Sequence, residues 1–173
     1  MDFKSVIRTI PDYPKKGIMF RDITTLLKDG PALGRALDLL HERYRGTAVD
    51  KVVGVESRGF ILGGALAARL GAGFVPVRKP GKLPAQAIRE TYKLEYGTDT
   101  VEIHADAVTP GQRVLMHDDL LATGGTMGAA CRLVERLGGV IVGVSFVIEL
   151  PALRGREALA GREVYAILSF EGD

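Results

Sequence analysis

The chain contains no tryptophan, and only 6% of its 173 residues are aromatic. That is too few for the rows of stacking rings that hold single-stranded nucleic acid. Net charge is also scarce: 23 lysines and arginines against 21 aspartates and glutamates leave +2. A broad nucleic-acid surface needs an excess of cations on one face, so any polyanion bound here is small and held in a local site. The single cysteine, Cys131, cannot close an internal disulfide, which makes a cytosolic, reducing setting the default. No uncharged stretch exceeds twelve residues, Leu137 to Ile148 being one, short of the ~18 that span a bilayer. Met1 to Ile10 carries Asp2, Lys4 and Arg8 without an apolar segment, so no secretory leader is expected. Gly-x-x-x-x-Gly-Lys-[Ser/Thr] and Gly-x-Gly-x-x-Gly are both missing, which leaves P-loop nucleotidases and Rossmann dehydrogenases without support. His41, His104 and His117 are scattered without metal-ligand spacing.

What is present is an alternation. Lys51 to Val55, Phe74 to Val77, Arg113 to Met116, Val140 to Ile148 and Val164 to Leu168 are Val- and Ile-rich runs with little polar alternation. They predict strands buried on both faces, as in a parallel sheet. Helical patterns lie between them over Pro31 to Arg45, Phe60 to Leu70 and Gly125 to Leu137. The sum is one doubly wound α/β domain with helices on both faces of a parallel sheet. Two segments interrupt the pattern. Ile10 to Lys28, with Pro11, Pro14 and Gly17, predicts an irregular N-terminal lobe. Arg78 to Thr100 is long, charged and broken by Pro80, Gly81 and Pro84, the profile of a functional loop or lid.

Ligands in such folds sit beyond the C-terminal ends of the strands. The third run delivers Asp118 and Asp119, then Ala122-Thr123-Gly124-Gly125-Thr126, and then a helix. Glycines allow close backbone approach, and a helix N-terminus adds partial positive charge, so the segment makes an anion cradle for a phosphate. Alone, Thr-Gly-Gly-Thr would be a capped tight turn. Two carboxylates would repel the phosphate itself, so they belong to hydroxyls or a magnesium ion on the same ligand. A sugar phosphate is implied.

At this point the chain resembles a known family. Apolar strand, two acids, apolar residues and Thr-Gly-x-Thr form the 5-phosphoribosyl-1-pyrophosphate motif of the type I phosphoribosyltransferases, and Asp-Asp-Leu-Leu-Ala-Thr-Gly-Gly-Thr is similar to its adenine-specific subfamily. Phe20-Arg21-Asp22-Ile23, Glu56-Ser57-Arg58-Gly59-Phe60, Arg78-Lys79-Pro80-Gly81-Lys82-Leu83-Pro84 and Leu94-Glu95-Tyr96-Gly97 resemble further blocks of that subfamily, in order. The likeness covers nearly the whole chain. His117 departs from it, standing where an aliphatic residue is usual.

The resemblance implies a type I phosphoribosyltransferase fold with a small N-terminal hood over about 10–28 and a flexible catalytic loop over about 78–100. It implies transfer of the phosphoribosyl group to adenine, giving AMP and pyrophosphate in purine salvage. Ala122, Thr123, Gly124, Gly125 and Thr126 would wrap the ribose 5′-phosphate. Asp118 and Asp119 would hold the ribose hydroxyls and favour the oxocarbenium-like carbon. Ser57, Arg58, Arg78, Lys79 and Lys82 would take pyrophosphate, with Ser57 following an often cis peptide and Arg78 reaching towards a partner subunit. Phe20 would stack on adenine, the main chain of Met19 and Arg21 would read its edge, and Leu120 would pack on its other face. Glu95 would handle the proton of the attacking nitrogen, and Tyr96 would position the loop. Magnesium is the implied cofactor, held mainly by substrate with no direct protein ligand. The resemblance also implies a cytoplasmic homodimer that binds neither nucleic acid nor membrane.

Three other functions are opposed by particular residues. Glu56-Ser57-Arg58-Gly59 is not a nucleophile elbow, because Val55 stands where glycine is required. Transfer to another base, such as hypoxanthine, xanthine or orotate, is opposed by the Phe20-Arg21-Asp22 block. A non-catalytic regulator that senses the ligand would commonly lose the loop cations, whereas Arg58, Lys79, Lys82 and Glu95 are all retained.

Overall fold

All five Val- and Ile-rich runs become strands of one sheet in the computed structural model, which describes residues 1–172. The strands are β3 (Lys51–Val55), β4 (Gly73–Val77), β7 (Arg113–Leu121), β8 (Val140–Glu149) and β9 (Val164–Ser169), in the order β4-β3-β7-β8-β9 and parallel throughout. Neighbouring residues of a strand serve opposite faces, which explains the missing polar alternation. Val52, Leu115 and Val147 pack beneath α3 (Gly30–Tyr44) and α4 (Gly59–Leu70), together with α1 (Phe3–Val6) and α2 (Thr24–Leu27). Val53, Val114, Met116 and Phe146 face α5 (Gly125–Arg136). Helices thus cover both faces, as the sequence predicts.

The helix limits follow local chemistry. Asp29 caps α3 by accepting a hydrogen bond from the Ala32 N–H at 2.9 Å, and Pro31 sits in its first turn, where no N–H is needed. After α5, Gly138 and Gly139 end the helix with N–H groups donating to Glu135 and Val134.

Both interrupting segments are more regular than the sequence predicts. The N-terminal lobe contains an antiparallel ribbon, β1 (Arg8–Pro11) with β2 (Met19–Asp22), followed directly by α2. Within 78–100 lies most of an antiparallel hairpin, β5 (Ala87–Lys93) with β6 (Thr98–His104). Its apolar side, Tyr92, Val101 and Ile103, joins the core under α5. On the same face, Glu90 accepts from Arg132 and Arg136 of α5 at 3.0 and 3.1 Å. The body of the hairpin is therefore packed, and exposure is concentrated at the turn between Leu94 and Gly97. Local charge and proline obscured this, because the apolar partner that makes the hairpin a hairpin is α5, distant in sequence.

The topology fixes where a ligand sits. From β3 the chain crosses by α4 to β4 on one side, and from β7 it crosses by α5 to β8 on the other. The order reverses between β3 and β7, and the crevice beyond their C-terminal ends is the natural binding place.

Candidate active site

β7 runs five residues further than the predicted Met116 limit, to Leu121, so Asp118 and Asp119 lie within the strand. Alternation sends their side chains to opposite faces. Asp118 lies against α4: a Cβ on Gly59 would come within 2.8 Å of its Oδ1, so glycine is required where the helix starts. Asp118 Oδ1 accepts the Asp119 N–H at 2.8 Å. Loss of solvent and then the charge of Asp119 push the Asp118 carboxyl well above the usual range. Asp119, 7% exposed, accepts a hydrogen bond from Arg58 Nε at 2.6 Å.

Beyond β7 the chain turns through Ala122 to Gly124. Gly124 adopts φ +82°, and a Cβ there would run into the Gly155 carbonyl. That carbonyl belongs to a short 3₁₀ turn, Gly155–Leu159, which braces the loop from behind. The brace is tied down by a fork: Arg156 Nε and Nη2 donate to the two Glu149 oxygens, each at 2.7 Å. Among the described residues no side chain caps α5, so the N–H groups of its first turn remain available to an anion. Leu120 to Met127 line a small cleft of about 100 Å³.

A second cleft, about 400 Å³, adjoins it and shares Asp118, Leu120 and Thr126. Its far wall is Glu56, Ser57, Arg58 and Lys79. The Glu56–Ser57 peptide is cis, as the resemblance implies. Glu56 gathers the cations of the following loop: its carboxylate accepts from Lys82 Nζ at 2.8 Å and from the Lys79 N–H, and lies 3.6 Å from Arg78 Nε. Burial works to raise the Glu56 pKa, but Lys82, the Lys79 N–H and Arg78 together hold it below the usual range. Arg78 is further fixed by backbone hydrogen bonds to and from Glu102, at 3.0 and 2.7 Å.

The hood approaches from β2. The Phe20 ring lies 5.8 Å from the Arg58 guanidinium and is met edge-on by Tyr13 at 5.1 Å. Arg21 turns its side chain away, donating to Thr9 at 2.5 Å and stacking over Phe170 at 4.1 Å. Residues 19 and 21 aim their main-chain groups in one direction and 20 in the other. Met19 is 41% exposed.

The structure thus brings together Ser57, Arg58, Lys79, Asp118, Asp119, Leu120 and the 122–126 loop, with Phe20 adjacent and Arg78 and Lys82 joined through Glu56. Glu95 and Tyr96 stand exposed in the hairpin turn, outside both clefts. His117 is fully buried. Ser145 Oγ spends its proton on the Met116 carbonyl and so accepts from His117 Nδ1, each at 3.0 Å, leaving Nε2 with the lone pair. Burial holds this imidazole down to about 4. Sequence reasoning missed Glu56 as the organiser of the loop cations, Tyr92 as the hairpin's contact with Thr126 at 2.8 Å, and Gly155 as the brace. Glu56 was legible in principle, since it starts the Glu56-Ser57-Arg58 block. The other two depend on contacts between distant segments.

Comparison with known proteins agrees with this geometry. The phosphoribosyl transferase domain family matches residues 24–160. The adenine phosphoribosyltransferase of Acidobacterium capsulatum is 58% identical over 167 residues, covering 96% of this chain and 92% of the relative. The crystal structure of the corresponding enzyme from Thermoanaerobacter pseudethanolicus superposes with a TM-score of 0.94 at 52% identity, covering 96% of this chain and 97% of that one. The Saccharomyces cerevisiae enzyme, solved with adenine and an imino-altritol bisphosphate, gives a TM-score of 0.90 at 39% identity over 95% and 96% of the two chains.

Proposed function

The chain belongs to the phosphoribosyl transferase domain family, among the adenine phosphoribosyltransferases, and from that premise we propose how its cleft works. The reaction is transfer of the phosphoribosyl group of 5-phosphoribosyl-1-pyrophosphate to adenine, giving AMP and pyrophosphate. One observation carries the site assignment. A phosphate cradle at 122–126, a carboxylate pair at 118–119 and a cation wall at Arg58 and Lys79, with Lys82 tied to it through Glu56, follow one another along a continuous crevice. That order matches the donor: phosphate, ribose, pyrophosphate.

The 5′-phosphate sits at the start of α5, on backbone N–H groups and the hydroxyls of Thr123 and Thr126. Asp118 and Asp119 hold the ribose hydroxyls and stabilise the positive charge that grows at the anomeric carbon. The Ser57 to Arg58 loop, Arg78, Lys79 and Lys82 take the charge of departing pyrophosphate. Adenine lies beneath Phe20 with Leu120 on its other face, and the main chain of Met19 and Arg21 reads its edge. Glu95, carried over the cleft by the hairpin turn, accepts the proton that adenine loses.

Among the described residues no group of three or more His, Cys, Asp or Glu could hold a metal ion. The two cleft carboxylates are hard oxygen donors that suit magnesium through its water shell. Magnesium brought in with the substrate would offset the charge of the leaving group.

The proposal extends to a single working domain with a hood at about 10–28 and a catalytic loop at about 78–100, and to a homodimer in the cytoplasm. Ile61 of α4, 48% exposed, is an apolar side chain that a second copy would cover, and one buried thiol, Cys131, fits a reducing compartment. Among the described residues no helix is long and apolar enough to cross a membrane.

The test is pyrophosphate release from 5-phosphoribosyl-1-pyrophosphate and magnesium, with and without adenine. Release that requires adenine and matches AMP formed supports the assignment. Release that ignores adenine, with no AMP, contradicts it.

A further inference from the structure

Tyr92 lies on β5, outside the residues that bind the donor, and is 7% exposed. Its ring presses on the phosphate cradle, where a Cβ on Gly125 would meet Cδ2 at 3.2 Å. Its hydroxyl reaches in two directions: Thr126 Oγ1 at 2.8 Å and Asp99 Oδ2 at 3.3 Å. The same Asp99 oxygen accepts from Lys79 Nζ, while Asp99 Oδ1 accepts the Thr100 N–H at 2.8 Å. A chain of polar contacts therefore runs Thr126, Tyr92, Asp99, Lys79, from the cradle for one phosphate to a cation assigned to the other.

Counting protons gives the chain a direction. A carboxylate only accepts, and each hydroxyl has one proton to give. With the cradle open, the consistent arrangement is Thr126 donating to Tyr92 and Tyr92 donating to Asp99. A phosphate also only accepts, so it draws the Thr126 proton to itself. Two proton-less oxygens would then face each other at 2.8 Å unless Tyr92 turns its proton to Thr126. Asp99 Oδ2 loses one donor and holds the Lys79 ammonium more firmly. A lysine ammonium carries three donors, so Lys79, which also contacts the Tyr92 hydroxyl, is fixed in place with a donor left for pyrophosphate.

We propose that Tyr92 is a positioning residue that couples the two ends of the donor site, so that a phosphate bound at Thr126 pre-organises Lys79 for pyrophosphate. The inference rests on the assignment of those two subsites given above. It makes Tyr92, in the body of the packed hairpin, a link from behind between the two anion subsites of one crevice.

The experiment is calorimetric. Pyrophosphate with magnesium is titrated into the protein with and without saturating ribose 5-phosphate, for wild type, Tyr92→Phe and Asp99→Asn. Tyr92→Phe removes only the hydroxyl, and Asp99→Asn breaks the same chain at a partly exposed position. The ratio of the two affinities should be more favourable in wild type than in either variant by roughly fivefold, the lower end of ordinary coupling between sites. A merely structural role would alter both affinities and leave the ratio alone. Equal ratios in wild type and the folded variants overturn the coupling while leaving the two subsites standing. Failure of wild type to bind either ligand removes the subsites themselves, and the coupling with them.

Discussion

Arg58 Nε donates to a carboxylate oxygen of Asp119 at 2.6 Å, joining the ends of β3 and β7 across the crevice where the sheet order reverses. The pair unites a residue assigned to pyrophosphate with one assigned to ribose. Arg58 remains 47% exposed while the Asp119 side chain is 9% exposed, so the guanidinium is free to turn to a substrate phosphate and the carboxylate stays. Burial works to lower the Arg58 pKa, but the bond to Asp119 more than offsets it and keeps the cation charged.

Asp119→Asn removes charge and little else. Because its partner is half exposed and can be solvated, stability should change by less than about 1 kcal/mol. Turnover should fall on the order of 100-fold, the scale of losing one electrostatic contact to a transition state. Steady-state kinetics beside a thermal melt separate the two effects, and an equal loss of folding would make the residue structural.

Lys82→Ala should raise KM for 5-phosphoribosyl-1-pyrophosphate by about tenfold, the value of a charge-assisted hydrogen bond. The Lys82 side chain is 48% exposed, and Glu56 keeps the Lys79 N–H as a partner, so the melting temperature should hold. Unaltered kinetics would take Lys82 out of the site.

Gly124→Ala asks an L-residue to adopt φ +82° against the Gly155 carbonyl. Overpacking of this kind costs roughly 1–3 kcal/mol. Denaturant unfolding should show that loss, and ribose 5-phosphate binding should weaken with it. Full stability in the variant would contradict the brace.

His117 sets an acid limit. Its folded value is about 4 against an ordinary 6.5. Between those values the unfolded chain takes up a proton that the folded one refuses, so stability rises with pH through the window and is flat above it. By pH 5 the loss is about 2 kcal/mol. Urea unfolding at pH 8 and pH 5 should show His117→Val free of that share of the acid sensitivity. The same loss in both proteins would place the titration elsewhere.

The parallel sheet was legible because burial on both faces leaves the same trace in every strand, as in Val52 and Val53 of β3. The cradle was legible because 118–126 is contiguous, so strand, acids, glycines and helix are read in one line. The hairpin and the 3₁₀ brace were not. Tyr92 looks like one aromatic in a charged loop until α5 is laid beside it, and Gly155 acquires meaning only when its carbonyl meets Gly124. His117 takes the place of an aliphatic residue, and it is completely buried as such a residue would be. Its tautomer required Ser145, 28 positions away.

The most direct measurement is a competition among bases. The protein receives magnesium, 5-phosphoribosyl-1-pyrophosphate and equimolar adenine, hypoxanthine, guanine, xanthine and orotate, and the nucleotide formed is identified by mass. AMP is expected in large excess. A different nucleotide would contradict the reading of Phe20 and the hood while leaving the 118–126 cradle in place, and no nucleotide at all would contradict the catalytic assignment itself.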